Sequence, residues 1–240
     1  MRVMLTRPRA DSEFLSAALR ARGNDVVIEP MLKIVPEGSL PLLDGVAALI
    51  VTSANGIRAF AAASGRRDLT VYTVGDGTAL AAREAGFTAV MSAQGDSAAL
   101  GTLIAARLKP DAGTLLHIQG RTVAGNLDKL LESKGYSVRP AVLYKAEAVD
   151  TLSSVSRDHI ADRKIDIILF FSPRTAGTFV RLVQEAGLTH RCETMIAFCL
   201  SEAVAEEASA LNWAGVHIAA TPDGTAMMHL CDAVQESGQT

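Results

Sequence analysis

Serine and threonine side chains recur where a predicted strand passes into a predicted helix. In that position their oxygens can cap the free backbone N–H groups of the first helical turn, and capping alone explains any one of them. Several helix N-termini directed into one crevice, however, offer many N–H donors and positive dipole ends, which suits a ligand with several carboxylates or phosphates. These residues are Thr52, Ser53, Thr78, Ser97, Thr122, Ser172, Ser201 and Thr225.

Two of these turns resemble each other and are the best candidate ligand-binding surface. They are Thr52-Ser53-Ala54-Asn55 and Phe171-Ser172-Pro173-Arg174. If each amide of such a turn donated to a charged oxygen, each bond would contribute roughly 1.5 to 3 kcal/mol. A polyanion could therefore be held without a basic surface.

Three arginines and one tyrosine complete the set of candidate side chains. Arg7, Arg121 and Arg174 lie at predicted turns, where a guanidinium can make a forked contact with a carboxylate. The plain alternative for each is a solvated loop arginine. Tyr144 lies in a strand-like run and is either a half-buried strand tyrosine or, if it faces a cleft, a proton donor to a leaving group.

Common catalytic signatures are missing from the sequence. It contains no phosphate loop, no Gly-x-Gly-x-x-Gly dinucleotide turn, no Cys-x-x-Cys pair and no His-Glu-x-x-His motif. The closest approach to a metal pair is His190-x-Cys192, a spacing with little specificity. We therefore predict no metal site.

Composition excludes several classes of partner. The chain has 240 residues, 20% of them charged, and a formal net charge of −3, so nothing indicates a basic face for nucleic acid or for an anionic membrane. No apolar run approaches the roughly 18 to 20 residues that a membrane span needs. Cys192, Cys199 and Cys231 are an odd number, and no secretory segment follows Met1, which favours a reducing cytoplasm without disulfides.

The elements that must position these residues alternate between strand and helix. Helical periodicity over 11–22 places Phe14, Leu15, Ala18 and Leu19 on one face. Regular alternation of this kind predicts α/β architecture with doubly wound parallel sheets, whose ligand crevice lies beyond the carboxyl ends of the strands. The predicted strands are residues 3–6, 25–29, 48–51, 70–74, 89–91, 114–118, 167–171, 195–198 and 216–219, and further helices are predicted at 55–63, 78–85 and 97–108.

The sequence also repeats itself. At offsets of about 120 to 130 positions, residues 49–60 parallel 169–179, residues 95–100 parallel 223–228, and residues 72–86 resemble 196–211. This pattern predicts a duplicated domain.

Two divisions of the chain are compatible with this repeat. Two tandem halves are the simple one. The strand-like segments Leu32-Lys33-Ile34-Val35 and Val142-Leu143-Tyr144-Lys145 suggest another, in which linker strands near 31–35 and 141–146 cross together. In that division residues 1–35 plus 145–240 form one discontinuous domain, and residues 36–144 form an inserted second domain.

The order and spacing of five segments resemble the uroporphyrinogen-III synthase family along nearly the whole chain. The segments are Leu5-Thr6-Arg7-Pro8, Thr52-Ser53-Ala54-Asn55-Gly56, Val74-Gly75-Asp76-Gly77-Thr78-Ala79, Val142-Leu143-Tyr144-Lys145 and Phe171-Ser172-Pro173-Arg174. The resemblance implies two doubly wound domains joined by a two-stranded linker. One departure is Cys199-Leu200-Ser201-Glu202, where many members have a Gly-x-Thr-Thr turn, so a substrate contact there is in doubt.

The resemblance also implies a reaction. The linear tetrapyrrole hydroxymethylbilane, a polycarboxylate, loses water, closes into a ring and has its last pyrrole inverted, without a cofactor. By this resemblance Tyr144 is the expected proton donor, and the protein is expected to be a cytoplasmic monomer that receives substrate from the upstream hydroxymethylbilane-forming enzyme. The expected substrate-binding residues are Arg7, Thr52, Ser53, Thr78, Ser97, Arg121, Ser172, Arg174 and Ser201.

The main alternative is a non-catalytic bilobal protein that binds or senses an anionic small molecule, because fold alone does not choose between the two. A nucleotide-using transferase is disfavoured by the missing phosphate loop.

Overall fold

The structure is a computed structural model, and it describes residues 1–122, 125–221 and 223–237. Its strands are β1 (Arg2–Leu5), β2 (Asp25–Ile28), β3 (Leu32–Pro36), β4 (Val46–Val51), β5 (Thr70–Thr73), β6 (Val90–Ser92), β7 (Thr114–Gly120), β8 (Val138–Ala148), β9 (Ile167–Phe170), β10 (Ile196–Cys199) and β11 (Gly215–Ile218). Its α-helices are α1 (Arg9–Ala21), α2 (Ala54–Ala63), α3 (Asp76–Glu84), α4 (Ser97–Arg107), α5 (Leu127–Ser133), α6 (Ser154–Ala161), α7 (Pro173–Glu185), α8 (Glu202–Ala208) and α9 (Gly224–Ser237).

The chain divides into two compact units. Unit 1 comprises Met1–Lys33 and Glu147–Thr240, and unit 2 comprises Ile34–Ala146. The chain therefore passes from one unit to the other within β3 and again within β8, which are neighbours in one sheet. Within the described residues, no helix is long and apolar enough to cross a membrane.

Matched by position in the sheet, the five strands of unit 1 correspond to five of the six strands of the other sheet. Unit 1 has the order β11-β10-β9-β1-β2, with every printed pairing parallel. The other sheet has the order β6-β5-β4-β7-β8-β3, and its pairs from β6 to β8 are also parallel. The predicted α/β class with doubly wound parallel sheets is confirmed. β9, β10 and β11 correspond to β4, β5 and β6, while β1 and β2 correspond to β7 and β8.

Each sheet is covered on both faces by apolar side chains. In β9, Ile168 and Phe170 enter one core cluster, whereas Ile167 and Leu169 enter another on the opposite face. Phe170 packs against Phe179 of α7, with ring centroids 5.5 Å apart. Strands buried on both faces require continuous apolar runs, which is why they are recognisable in the sequence.

One predicted helix face differs from the observed one. Phe14 is 73% exposed, although we expected it beside Leu15 and Leu19. The buried stripe of α1 instead begins at Ser12 and continues through Ser16. Positions 12, 15, 16 and 19 follow helical spacing, so the short serines occupy places on the sheet-facing side that hydrophobicity alone assigned to Phe14.

A buried carboxylate joins the two chain segments of unit 1. Glu29 is only 6% exposed and accepts bonds from the Ser153 backbone N–H at 2.7 Å, the Ser153 hydroxyl at 2.6 Å and the Ser156 hydroxyl at 2.7 Å. Ser153 is the N-cap of α6, so the negative charge also lies at the positive end of that helix. Residues following β2 are thereby fixed to a segment more than a hundred positions away.

We predict that Glu29→Gln destabilises the protein by about 2 kcal/mol, because it removes the charge from three hydrogen bonds in a buried setting. Urea denaturation followed by circular dichroism measures the change. The exposed Glu13→Gln is the matched control and is expected to have an effect below about 0.5 kcal/mol. Equal effects of the two substitutions would contradict a structural role for Glu29.

Candidate functional site

The strand order of each sheet reverses at one point, and the predicted turns lie there. In unit 1 the reversal falls between β1 and β9, and in unit 2 it falls between β4 and β7. Loops leaving the carboxyl ends of two such neighbouring strands run to opposite faces of the sheet and leave a crevice between them. The turns that follow these strands are therefore the candidate sites.

In unit 1, Arg7 lies next to the Phe171 turn, at the carboxyl ends of β1 and β9. Leu5 pairs with Leu169, and the Thr6 hydroxyl donates to the Leu169 carbonyl at 2.6 Å, which holds the ends of β1 and β9 together. Just beyond, the Arg7 guanidinium lies over the Phe171 ring, 4.9 Å from its centroid. A guanidinium stacked on a ring keeps its N–H groups directed outward in the guanidinium plane, where they can meet a carboxylate.

The Phe171 turn leads directly into α7. Ser172 is the N-cap, and its hydroxyl oxygen accepts from the Thr175 backbone N–H at 3.2 Å. Pro173 occupies the first helical position, where its missing N–H costs nothing, and exposed Arg174 follows in the same turn. Capping by Ser172, as predicted, is confirmed.

In unit 2 the Thr52-Ser53 turn lies next to the end of β7. Val51 pairs with Ile118, and Ser53 caps α2 by accepting from the Asn55 N–H at 3.2 Å. A β-carbon on Gly56 would lie 3.1 Å from a Val51 methyl and 3.3 Å from the Ile118 carbonyl oxygen. Glycine therefore allows the first turn of α2 to pack closely on both strands. Ser53 and Ser172 are both N-caps, so they occupy corresponding positions, as in the predicted pair of matching turns.

Tyr144, inside β8, lies near Arg121, which follows β7, and near Glu37, which follows β3. The Arg121 backbone N–H donates to the Tyr144 carbonyl at 2.9 Å, and the Glu37 N–H donates to the Leu143 carbonyl at 2.9 Å. The Arg121 guanidinium makes a forked contact with Glu37, through Nε to Oε2 at 2.8 Å and through Nη2 to Oε1. Arg121 thus holds a carboxylate of its own unit. Sequence reasoning missed Glu37, whose only signal is its position directly after the strand-like run that ends at Pro36.

The remaining hydroxyl residues do not cap in the way we predicted. Thr78 lies inside α3, whose N-cap is Gly75, and Thr122 precedes α5, whose N-cap is Asn126. Ser201 does occupy the N-cap position of α8, but within the described residues its hydroxyl accepts no N–H of that helix. Thr52 likewise precedes Ser53, the N-cap of α2, so the capping predictions for Thr52, Thr78 and Thr122 are wrong.

Aspartates take the capping role from two other predicted residues. Asp96 accepts from the N–H groups of Ala98 and Ala99, both at 2.9 Å, so Ser97 is the first helical residue and not the cap. Asp223 likewise accepts from the Thr225 N–H at 2.9 Å. A carboxylate is favoured there because it carries a full charge to the positive end of the helix. Hydrogen bonds from the Thr221 hydroxyl and from backbone N–H groups of α9 lower the pKa of Asp223.

The structure therefore distributes the candidate side chains over two sheet edges. The residues that follow the strands of unit 1 are Arg7, Ser172, Arg174 and Ser201. The residues at the edge of unit 2 are Thr52, Ser53, Thr78, Ser97, Arg121 and Tyr144. Within the described part of the chain, no three His, Cys, Asp or Glu side chains are grouped to hold a metal ion.

Three buried thiols lie in the core of unit 1. Burial raises the pKa of Cys192 and of Cys231 to about 12 and that of Cys199 to about 11. At neutral pH these thiols remain protonated and poorly nucleophilic. None of them suits nucleophilic catalysis.

Comparison with known proteins agrees with this architecture. Residues 13–229 match the family described as uroporphyrinogen-III synthase HemD. A crystal structure of uroporphyrinogen-III synthetase from Helicobacter pylori, 15% identical, aligns over 98% of this chain and 100% of that chain with a TM-score of 0.64. A mutant uroporphyrinogen III synthase from Thermus thermophilus, 17% identical, aligns over 98% and 99% with a TM-score of 0.48. No curated protein matches the chain significantly.

The fold shared with the Helicobacter pylori structure first defines the class, an α/β protein with two largely parallel sheets. The chain belongs to the uroporphyrinogen-III synthase family, whose model matches most of its length. That family comprises cyclising hydro-lyases of heme biosynthesis that convert hydroxymethylbilane into uroporphyrinogen III. Neither comparison favours the sensor alternative.

The corrected cap assignment can be tested in α4. We predict that Asp96→Ala destabilises the protein by about 1 kcal/mol, because two N–H groups lose their acceptor. Ser97→Ala removes no cap and is expected to change stability by less than about 0.5 kcal/mol. Thermal unfolding of both variants measures the difference, and a larger loss in Ser97→Ala would restore the original assignment.

Proposed function

We propose that Tyr144 donates the proton in the dehydrating cyclisation of hydroxymethylbilane to uroporphyrinogen III. The observation that carries this proposal is the position of Tyr144 at the carboxyl edge of the unit 2 sheet, next to Arg121 and near the point where the strand order reverses. This is the edge at which α/β sheets bind their ligands.

The chemistry requires a proton donor and a stabilised cation. Loss of hydroxide from the hydroxymethyl group needs a proton at the departing oxygen, and it leaves an azafulvene cation on the attached pyrrole. Because the pyrrole nitrogen itself pushes the leaving group out, the donor supplies only part of the acceleration. Holding the tetrapyrrole in a spiral, so that the correct carbon of the last ring attacks, supplies another part.

The carboxylates of the substrate provide the means of holding it. We propose that side chains and first-turn N–H groups beyond the carboxyl ends of the strands bind them, which needs no basic surface and accords with the net charge of −3. Stacked Arg7 is the strongest side-chain candidate, since Phe171 already fixes its plane. The other proposed binding residues are Thr52, Ser53, Thr78, Ser97, Arg121, Ser172, Arg174 and Ser201.

We also propose the finer properties implied by the family resemblance. The protein acts in the cytoplasm without a cofactor and receives hydroxymethylbilane from the enzyme that forms it. Buried free thiols support a reducing compartment. Residues 1–35 plus 145–240 and residues 36–144 are proposed as its two domains, and the similar extents of the two compact units support this division.

Tyr144→Phe tests the proton donor. We predict a fall in kcat of about 10²-fold without complete loss, because loss of one general acid leaves substrate positioning intact. Turnover is measured with freshly prepared hydroxymethylbilane, and the uroporphyrin isomers are identified after oxidation. Tyr136→Phe is the matched control, since the Tyr136 hydroxyl donates to the Leu108 carbonyl at 2.6 Å inside the structure. Unchanged turnover of Tyr144→Phe removes Tyr144 from the catalytic role, and formation of only the type I isomer by the unaltered protein contradicts the activity itself.

Glu37→Gln tests whether Arg121 binds substrate. Glu37 competes with a substrate carboxylate for the Arg121 fork, so neutralising it is predicted to lower KM a few-fold, on the order of 1 kcal/mol, with kcat unchanged. Arg121→Gln is the matched substitution and is predicted to raise KM. If neither KM changes, the Arg121–Glu37 pair serves only the structure of unit 2.

A further inference from the structure

The Tyr144 ring rests directly on the α-carbon of Gly120. A β-carbon added to Gly120 would lie 2.9 Å from both Cε2 and Cζ of Tyr144 and 3.3 Å from its Oη. These three atoms, all from one side chain, are the nearest neighbours of that hypothetical β-carbon. Unstrained carbon contacts are about 3.5 to 4.0 Å, so any larger residue at this position displaces the ring by roughly 0.5 to 1 Å.

An irregularity in the pairing of β7 with β8 places Tyr144 opposite Gly120. From Leu115 to Gln119, β7 pairs with β8 in regular register, and Gln119 lies opposite Val142. Regular pairing would continue with Leu143 opposite Gly120, but the register shifts and Tyr144 takes that place. Leu143 remains 5% exposed in the core of unit 2. The shift therefore moves Tyr144 forward while keeping the apolar side chain before it buried.

A backbone hydrogen bond fixes the shifted register from the other side. The Arg121 N–H donates to the Tyr144 carbonyl at 2.9 Å, directly after Gly120. The position of Tyr144 along the edge is thus set by backbone pairing, and the height of its ring above the sheet is set by the missing side chain at Gly120. Gly120 needs no unusual backbone dihedral for this, because its φ lies outside the left-handed region.

We propose that Gly120 is a positioning residue for the dehydration step. Because it has no side chain, the Tyr144 ring can pack directly against its α-carbon, and this contact determines the position of the Tyr144 hydroxyl. This inference rests on the proposed role of Tyr144 as proton donor. A proton donor works only within hydrogen-bonding distance of the departing oxygen, and a misplacement of about 1 Å can cost about 10²-fold in rate. A methyl group at position 120 would displace the Tyr144 ring by a distance of this size.

Kinetics of Gly120→Ala test the proposal. We expect kcat to fall by about 10- to 100-fold while KM for hydroxymethylbilane changes less than about two-fold, because the ring moves but the carboxylate contacts do not. In the Tyr144→Phe background, where no phenolic proton remains to be placed, Gly120→Ala should cause little further loss. A fall in kcat of the same size in both backgrounds, or no fall in either, overturns the proposal.

A matched control shows that any effect is local. Gly65 lies in the exposed loop after α2, and within the described part of the chain a β-carbon placed there meets no heavy atom within 4 Å apart from Gly65 and its two chain neighbours. The kcat and KM of Gly65→Ala are expected to equal those of the unaltered protein. Loss of activity in Gly65→Ala would show that alanine substitution at glycine harms the protein generally, and would overturn the assignment to Gly120.

A stability cycle covers the case in which Gly120→Ala folds poorly. The destabilisation by Gly120→Ala should largely disappear in a Tyr144→Ala background, because the ring that the new methyl group meets is gone. Destabilisation that persists in this background means that glycine is needed at position 120 for the backbone and not for the Tyr144 ring, which contradicts the proposal. This measurement also separates the positioning role of Gly120 from the catalytic role of Tyr144. It depends only on the contact between residue 120 and the Tyr144 ring, and not on whether Tyr144 donates a proton.

Discussion

Burial of both faces of each parallel sheet is the constraint on which the rest of this protein depends. Side chains such as Ile167 and Ile168 point to opposite faces and yet both are fully buried. Polar side chains are scarce on such a surface, because an unpaired polar group there would cost several kcal/mol, and the buried His117 of β7 is hydrogen-bonded to Asp128. Functional groups are therefore confined to the strand ends, and the reversal of strand order selects which ends form a crevice.

At those ends the same atoms serve both stability and recognition. A helix N-terminus leaves N–H groups unpaired, and a capping side chain satisfies only some of them. Ser53 accepts from the Asn55 N–H, and Ser172 accepts from the Thr175 N–H in a helix whose first residue, Pro173, has no N–H. Where an aspartate caps instead, as Asp96 does with two bonds, its own charge occupies the positive end. A serine cap carries no charge, so it leaves the positive potential of the helix end in place, whereas an aspartate cap neutralises part of it.

Internal partners also orient the charged side chains of each unit. Phe171 lies beneath Arg7 and fixes its plane, and the Asp11 carboxylate is 3.9 Å from Arg7 Nη2, a longer contact than the fork between Arg121 and Glu37. Glu37 does neutralise Arg121, so that arginine must exchange one carboxylate for another before it can serve a ligand. This difference follows from the neighbouring chain segments, since β9 supplies the ring in unit 1 whereas β3 leads to the carboxylate in unit 2. Two residues of one type at comparable strand ends thus have different capacities.

The sequence by itself determined the α/β class, the order of strands and helices, and the turns at which hydroxyl and arginine side chains collect. Continuous apolar runs and helical spacing are local properties, so they are visible without the fold. The competition between Asp96 and Ser97 for a helix end, the exposure of Phe14 and the bond between Arg121 and Glu37 were decided by tertiary structure. So was the register shift that lays Tyr144 on Gly120. These features depend on which distant backbone atoms come within a few ångströms of each other, and no pattern in a single segment records that.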